Sequence, residues 1–178
     1  LHSKRGTVTD RNGEILAISL LSKSAFISNK ESGQSLAVFK KICHLLPLAG
    51  AQKLAISKRI RRGEKFIWLK RKLTDEEYLK VRPLALSAEA AGTIGFLDEY
   101  RRVYPQGRLA AHVLGGVGVD EQALGGIETS LDAEIKGRGG RLKVLIDARK
   151  RIFQFKYLEQ PLPGRDIHLS IDSGLQFL

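Results

Sequence analysis

Serine and lysine are the residues of this chain that could most directly carry out group-transfer chemistry. In serine acyltransferases of the Ser-x-x-Lys type, a lysine one helical turn after the serine takes the proton of the nucleophilic hydroxyl. None of the serines in the 178-residue sequence has a lysine three residues later, and the companion motif Lys-Thr-Gly is also absent. The sequence therefore argues against nucleophilic catalysis by this chain, and we predict no catalytic residue.

Metal-binding and nucleotide-binding patterns are also missing from the sequence. Histidines and cysteines do not pair at ligand spacing, and the four histidines are scattered: His2, His44, His112 and His168. The glycines at 115, 116 and 118 look like the start of a dinucleotide-binding loop, but Glu121 stands where that loop needs its third glycine. We therefore predict no cofactor and no metal, and interpret these glycines as sites of close backbone packing and positive φ.

Two single residues could be mistaken for reactive groups. Cys43 is the only cysteine, so no intrachain disulfide can form, and it lies on the apolar stripe of a predicted helix. Free cysteines in such places are usually buried and inert, and we interpret Cys43 in that way. His112 lies in an apolar run, and we interpret it as a structural hydrogen-bonding residue rather than a ligand or a base.

Positive charge is concentrated in the first part of the chain. The net charge is +11, and residues 1–72 contain 16 Lys and Arg against 4 Asp and Glu, whereas the rest is close to neutral. The excess peaks in a basic cluster, which we define as Lys58, Arg59, Arg61, Arg62, Lys70, Arg71 and Lys72. Three interpretations stay open: a solvated face, attraction to anionic lipid or to a phosphate-bearing substrate near a membrane, and nucleic-acid binding. Typical nucleic-acid-binding motifs are absent.

Short strands are predicted in the first 70 residues. Val8 begins the first strand, and Asn12-Gly13 supplies a tight turn because this dipeptide readily adopts positive φ. Residues 14–19 and 24–28 are predicted as two further extended segments, and 66–69 as a short buried strand.

Helical spacing appears between these strands. Apolar residues recur at helical intervals over 34–46, and a second helix is predicted over 51–62 with Leu54 and Ile60 facing inward. The lysines and arginines of the second helix then face outward.

Two further helices have clear end signals. Thr74 and Glu77 form the pattern of a capping box, and the helix that they begin must end or kink near Pro83. A helix over 127–136 is predicted from its apolar spacing, with Gly137 just beyond its end.

The last part of the chain has the alternation of strands. Residues 94–103 are extended, residues 142–146 and 153–157 alternate on either side of a turn at 147–150, and 167–171 alternate again. The order of elements is that of an α+β protein, in which strands from both chain ends enclose a helical or mixed middle.

Three blocks of sequence carry a resemblance to a known family. They are residues 5–13 (RGTVTDRNG), 101–118 (RRVYPQGRLAAHVLGGVG) and 125–140 (GGIETSLDAEIKGRGG), collinear and spread over nearly the whole chain. Together they resemble the non-catalytic N-terminal module of class B penicillin-binding proteins, the dimerisation or pedestal domain. The short connector between Gly118 and Gly125 is similar to that of the division-specific, FtsI-like members.

The resemblance implies a domain organisation. Residues 1–164 would form the pedestal, in which strands from both chain ends carry an inserted head lobe at about 30–100. Residues 165–178 look like the start of a transpeptidase domain that continues beyond this sequence.

The resemblance also implies a role and a location. The module would hold the transpeptidase domain of its parent, a peptidoglycan D,D-transpeptidase, and contact a membrane-embedded glycan polymerase and other division or cell-wall proteins. It would lie on the periplasmic side of the inner membrane, anchored by a transmembrane helix upstream of this sequence. An anionic lipid surface is a further candidate partner, and nucleic acid is a weaker one.

Structural roles follow for the motif residues. Arg5, Asp10 and Arg11 are expected to fix the first hairpin by charge-assisted hydrogen bonds, and Arg101 and Arg102 to clamp carboxylates such as Glu128 or Asp132. Glu128, near the start of its helix, is expected to benefit from the helix dipole and to cap the helix. The full set of motif residues is Arg5, Gly6, Asp10, Arg11, Gly13, Arg101, Arg102, Tyr104, Pro105, Gly107, His112, Gly115, Gly118, Gly126, Glu128 and Gly137.

Two rival classes remain for the chain. A free-standing basic module that binds nucleic acid or an anionic polymer would explain the net charge. A small hydrolase would need a clustered nucleophile and base, which the sequence does not offer.

Overall fold

The computed structural model of the chain describes residues 3–146 and 152–176. The strands are β1 Val8–Thr9, β2 Ile15–Ser28, β3 Phe66–Lys70, β4 Ile94–Val103, β5 Arg141–Ile146, β6 Ile152–Glu159 and β7 Ile167–His168. The helices are α1 Ser32–Leu45, α2 Gly50–Arg61, α3 Asp75–Leu86, α4 Ala111–Leu114, α5 Gly126–Ser130, α6 Asp132–Ile135 and α7 Ser173–Gln176, with a 3₁₀ turn at Ala88–Ala90. This mixture confirms the predicted α+β class.

Two compact units divide the chain. The terminal unit contains Leu1–Leu20 and Tyr100–Leu178, and the middle unit contains Leu21–Glu99. The two long strands β2 and β4 each contribute residues to both units.

Strands from both chain ends share one sheet in the terminal unit. β1 pairs antiparallel with β2, where Val8 lies opposite Ala17. On its other edge β1 pairs parallel with β7, where Val8 lies opposite Ile167. Beneath these strands, Val8, Leu16, Ala17, Leu114 and Ile135 form a buried apolar core. Residues about 160 positions apart are therefore packed side by side, as the fold prediction requires.

Asp10 organises the turn between β1 and β2. Its Oδ1 accepts hydrogen bonds from the backbone N–H groups of Asn12 and Glu14, at 2.8 and 2.9 Å. Gly13 has the positive φ expected of the turn, 86°, but Asn12 does not. The predicted turn is present, but it is not a two-residue Asn-Gly loop. The Asp10 carboxylate shapes it by accepting hydrogen bonds from backbone N–H groups of the turn.

The helix predicted over 127–136 is interrupted at Leu131. α5 and α6 flank this residue, whose φ of −114° and ψ of 22° are not helical. The Ser130 hydroxyl donates to the backbone carbonyl of Gly126 at 3.1 Å. Such bonds to the carbonyl four residues earlier bend helices, which gives a physical reason for the break. Gly137 follows at φ 69°, at the predicted end.

β5 and β6 form an antiparallel pair in which Val144 lies opposite Phe155. The two strands agree with the predicted alternating segments. The turn predicted at 147–150 lies outside the described residues.

In the middle unit, helices pack on one face of a small sheet. β2 pairs antiparallel with β3, with Ile27 opposite Ile67, and the Ser28 N–H donates to the Thr93 carbonyl beside β4 at 2.8 Å. The inward side chains of the strands join a core supplied by all three helices: Ala25, Ile27, Val38, Phe39, Ile42, Ile56, Ile60, Ile67, Leu69 and Val81. The intervening residues Phe26, Phe66 and Trp68 form an aromatic cluster with ring centroids 4.7 to 6.3 Å apart.

Several predictions for this unit need correction. β2 is one continuous strand rather than two segments. Leu54 is 58% exposed although it was expected to face inward, because Ile56 and Ile60 are buried and a residue two positions before Ile56 lies about 200° around the helix. Phe66 is 42% exposed, since alternate residues of β3 point away from the core.

The third helix begins as predicted and ends later. Thr74 Oγ1 accepts from the Glu77 N–H at 3.2 Å, and the Thr74 N–H donates to Glu77 Oε2 at 3.1 Å, so the capping box is confirmed. α3 continues through Pro83 to Leu86. Pro83 and Leu79 are exposed, so water can reach the Leu79 carbonyl that the proline leaves without a helical partner.

Candidate functional site

A buried cluster of charged side chains is the most developed polar site of the terminal unit. Its first member is Arg5, just before β1, which is 1% exposed. Its Nε and Nη2 donate to Glu128 Oε2 on α5 at 3.1 and 2.8 Å, and its Nη1 lies 2.8 Å from Asp132 Oδ1 on α6. Nη1 also donates to the backbone carbonyl of Glu121 at 3.3 Å. One guanidinium thus connects the first residues of the chain to segments more than 110 positions away.

A second arginine approaches the same carboxylate from the end of β4. Arg102 Nε donates to Glu128 Oε1 at 2.7 Å, and its Nη1 donates to the Gly6 carbonyl at 2.7 Å and to Ser19 Oγ at 3.2 Å. The expected contact between Arg102 and Glu128 is therefore present. Asp132 pairs with Arg5, not with Arg101, whose Nε has no hydrogen-bond partner among the described residues.

The Glu128 carboxylate lies between the guanidinium groups of Arg5 and Arg102. Tyr104 OH also donates to Glu128 Oε1 at 3.4 Å. Burial, and then the negative charge of Glu128, raise the pKa of the Tyr104 hydroxyl to about 12, so it stays protonated as a donor. Glu128 makes no capping hydrogen bond to the start of α5, so the expected capping role is wrong, and its oxygens serve the arginines instead.

Charge balance explains why this cluster can be buried. Two guanidinium groups face Glu128 and Asp132, so the net charge of the four side chains is zero. Breaking one partner of such a pair typically costs about 3–5 kcal/mol, because the remaining charge is left without compensation. The arrangement joins the segment just before β1, the end of β4, α5 and α6 through ion pairs.

Glycines allow backbone segments around the cluster to touch. A Cβ built on Gly6 would overlap the carbonyl oxygen of Arg165, so Gly6 permits a close approach of the two backbone segments. Gly115 has a φ of 74°, and a Cβ there would overlap the Gly125 carbonyl oxygen. The other motif glycines with positive φ are Gly13, Gly107, Gly126 and Gly137. Gly118 does not have positive φ and lies against the side chain of Gln122.

The remaining motif residues divide into tied and exposed ones. Asp10 Oδ2 accepts from the hydroxyl and the N–H of Ser173 at 2.7 and 3.1 Å. The hydroxyl bond from Ser173 is the main cause that lowers the pKa of Asp10 to about 2. Arg11 is exposed, and its N–H donates to the Ile171 carbonyl at 3.0 Å. Pro105 and His112 are exposed, and the ring of His112 has no hydrogen bond within the described part of the chain, so its expected structural role is wrong.

Four of the seven members of the basic cluster form ion pairs or hydrogen bonds within the middle unit. Arg59 pairs with Glu64 at 2.6 Å, Lys70 with Glu77 at 2.5 Å, and the backbone N–H of Lys72 donates to Ser24 Oγ at 2.8 Å. Arg71 lies 5.4 Å from the Trp68 ring centroid and pairs with Glu99 at 2.6 Å. The members that remain exposed are Lys58, Arg61 and Arg62.

Glu99 is a buried carboxylate that the sequence did not reveal. Burial favours its neutral form, but hydrogen bonds from Arg71 and Ser24 outweigh this effect and lower the pKa of Glu99. Its partners are 28 and 75 positions away in sequence, so no local pattern marks it.

Cys43 is half-buried in α1 rather than fully buried. Burial raises the pKa of its thiol, while the nearby Lys53 lowers it, so the thiol is not activated.

Across residues 3–146 and 152–176, no group of three or more His, Cys, Asp and Glu side chains could hold a metal ion. None of the helices in these ranges is long and apolar enough to cross a membrane.

Comparisons with known proteins agree with this architecture. Residues 1–169 match the family described as penicillin-binding protein dimerisation domain. The probable peptidoglycan D,D-transpeptidase PenA of Neisseria meningitidis is 33% identical over 183 residues, covering 100% of this chain and 30% of that protein. The peptidoglycan D,D-transpeptidase FtsI of Escherichia coli strain K12 is 30% identical, covering 99% of this chain and 30% of that protein. The chain therefore spans less than a third of the length of these curated relatives.

Solved structures show the same fold. The penicillin-binding protein PBP2 of Helicobacter pylori, solved in complex with MreC, superposes with a TM-score of 0.69 at 26% identity, covering 99% of this chain and 36% of that one. Penicillin-binding protein 2X of Streptococcus thermophilus gives 0.64 at 20% identity, covering 99% and 29%. The chain belongs to the penicillin-binding protein dimerisation domain family, and within it to the class B, FtsI-like type.

Proposed function

We propose that this chain is the scaffold and protein-interaction module of a longer peptidoglycan D,D-transpeptidase. The observation that carries the proposal is the buried cluster of Arg5, Arg102 and Glu128, in which the charged side chains of the motif form ion pairs with one another. A cluster of this kind joins distant chain segments, and removing one of its buried partners is strongly destabilising.

The parallel pairing of β1 and β7 supports the positioning part of this role. The chain enters the sheet at Val8 and leaves beside it at His168, and Asp10 is bonded to Ser173 after β7. A transpeptidase domain that begins at about 165 would therefore leave from a strand fixed to the chain start. We propose residues 1–164 as the pedestal, with its head lobe at about 30–100, although β7 of the following segment takes part in the same sheet.

The partners and location of the module are proposed by analogy. The Helicobacter relative is described as a complex with MreC, and we propose that this chain likewise contacts cell-wall or division proteins, including a membrane-embedded glycan polymerase. We place it on the periplasmic side of the inner membrane, anchored through an upstream helix of the parent protein.

A covalent labelling experiment tests the division of labour. A fluorescent penicillin should label the full-length protein at a serine beyond residue 178 and should leave the 178-residue chain unlabelled. Heat-denatured full-length protein is the matched control for non-specific acylation. Covalent labelling of the chain itself would overturn the proposal, as would a full-length protein that takes no label.

A further inference from the structure

An apolar groove lies between α1 and α2 in the middle unit. Its volume is about 500 Å³, within the range of binding sites of ordinary size. α1 contributes residues at helical spacing along one stripe: Leu36, Phe39, Lys40, Cys43 and His44. α2 contributes a second stripe: Lys53, Leu54, Ser57 and Arg61. The groove therefore runs along the two helices.

Among the apolar residues that line this groove, Phe39 belongs to the core and Leu36 and Cys43 pack against it, whereas Leu54 does not. α1 and α2 already bury Val38, Ile42, Ile56 and Ile60 against the strands of the middle unit. A helix with one buried face normally carries polar residues on its other faces. Leu54, 58% exposed, instead lies in the groove with the half-buried Leu36 and Cys43.

Every charged group that lines the groove is basic. Lys40, Lys53 and Arg61 lie along it with His44, and no Asp or Glu is among the lining residues that the structure describes. The two helices together contain six Lys and Arg and no acidic residue. Lys41 and Arg59 lie on the same helices, but they do not line the groove and they have acidic partners.

We propose that this groove is the docking site for an acidic, amphipathic helical segment of a partner protein. Leucine-like side chains at positions i, i+4 and i+7 would fill the apolar stripe, and flanking glutamates or aspartates would face the basic residues. A partner helix of about 12–14 residues would run 18–21 Å, the length of α1 or α2 at 1.5 Å per residue.

A lipid is the competing occupant, and the exposure of the groove argues against it. Bound small molecules and acyl chains are typically enclosed over most of their surface. Leu54 on α2 and His44 on α1 remain exposed, so the groove is open to solvent on both helices and suits a helix laid into it. The proposal rests on the interaction role given above and names the chemistry of one partner surface.

A designed peptide tests the groove without the natural partner. The probe is a fluorescent amphipathic peptide of about 14 residues with leucines at i, i+4 and i+7 and glutamates on both flanks. The control peptide has lysines in place of the glutamates. Anisotropy titrations use the 178-residue chain, and maleimide alkylation of Cys43, the only cysteine, reports occupancy of the groove. We expect the acidic peptide to bind at least about tenfold more tightly than the lysine peptide and to slow the alkylation.

Matched substitutions separate the groove from general attraction. Lys53→Glu and Leu54→Glu should each weaken the acidic peptide about tenfold or more. Lys58→Glu on the same helix and Leu79→Glu on α3 make the same chemical changes at exposed positions that do not line the groove, and should change affinity less than about twofold. Circular dichroism of each variant confirms that it is folded.

Three results would overturn the docking proposal. The acidic peptide fails to bind, or Lys58→Glu weakens it as much as Lys53→Glu does, which indicates diffuse attraction. In the third, vesicles with phosphatidylglycerol bind the chain with the same dependence on Leu54 and displace the peptide, which assigns the groove to lipid. Each leaves the penicillin experiment unaffected, so failure of the groove and failure of the scaffold proposal are distinguishable.

Discussion

Replacing Glu128 with glutamine tests the claim that the buried cluster holds the terminal unit together. The change keeps the size of the side chain but removes the negative charge between Arg5 and Arg102. At 2.8 and 2.7 Å, and an effective dielectric constant of about 20, each contact amounts to roughly 6 kcal/mol before desolvation is subtracted. The amide oxygen can still accept from one guanidinium, but the amide nitrogen then faces the donors of the other.

The net loss is much smaller than the raw attraction, because the ions were desolvated on folding. We expect Glu128→Gln to lower the free energy of unfolding by about 3–5 kcal/mol. For a chain of this length that corresponds to a fall in Tm of about 6–20 °C. Urea and thermal unfolding followed by far-ultraviolet circular dichroism would measure both quantities.

Glu134 supplies the matched control for this experiment. It lies on α6, close to the cluster in sequence, and pairs with Arg165 at 3.0 Å in an exposed ion pair. Glu134→Gln makes the same chemical change and should cost less than about 1 kcal/mol. If the two glutamine variants had equal stability, the reasoning from burial would be refuted.

Three further predictions concern single groups of the terminal unit. Because the pKa of Asp10 falls from 3.8 to about 2 on folding, its contribution to stability is complete above about pH 4 and is lost as the pH falls toward 2. Asp10→Asn should therefore flatten the dependence of the unfolding free energy on pH between these two values. An unchanged slope would contradict the assignment. Gly115→Ala should cost about 2 kcal/mol or more in urea unfolding, since the methyl group meets the Gly125 carbonyl at positive φ, whereas Gly33→Ala, in open space on α1, should be neutral or slightly stabilising. In a spectrophotometric titration at 295 nm, one tyrosine should ionise only near pH 12, and Tyr104→Phe should remove that step; its persistence in the variant would assign it to another tyrosine.

Predictions that depend on short-range sequence patterns agree with the structure. The capping box of Thr74 and Glu77 depends on residues three apart, and both of its hydrogen bonds are present. The strand alternation around Val144 and Phe155 likewise agrees with an antiparallel pair. Such patterns succeed because the backbone geometry that they describe is complete within a few residues.

Predictions failed where a tertiary contact decided the outcome. Leu54 was placed inward because it is apolar, but the phase of α2 is fixed by Ile56 and Ile60 against the core. The carboxylate of Glu99 was missed since Arg71 and Ser24 reach it from other strands and loops. Within the family motif, the partners of Glu128 were only half found: Arg102 was foreseen, while Arg5 arrives from the opposite end of the chain.

The burial of the positively charged side chains distinguishes two groups of cations in this chain. Arg5 and Arg102 are nearly inaccessible and pair with the carboxylates of Glu128 and Asp132, so changing the ionic strength should barely affect them. Lys40, Lys53 and Arg61 line an open apolar groove on helices without acidic residues, so their field reaches solvent and is available to a partner. Added salt should therefore weaken binding to the groove while leaving the unfolding free energy of the buried cluster nearly unchanged. Net charge alone suggested a polyanion-binding module. Only the burial of each cation distinguishes the cations that stabilise the fold from those that are available to bind a partner.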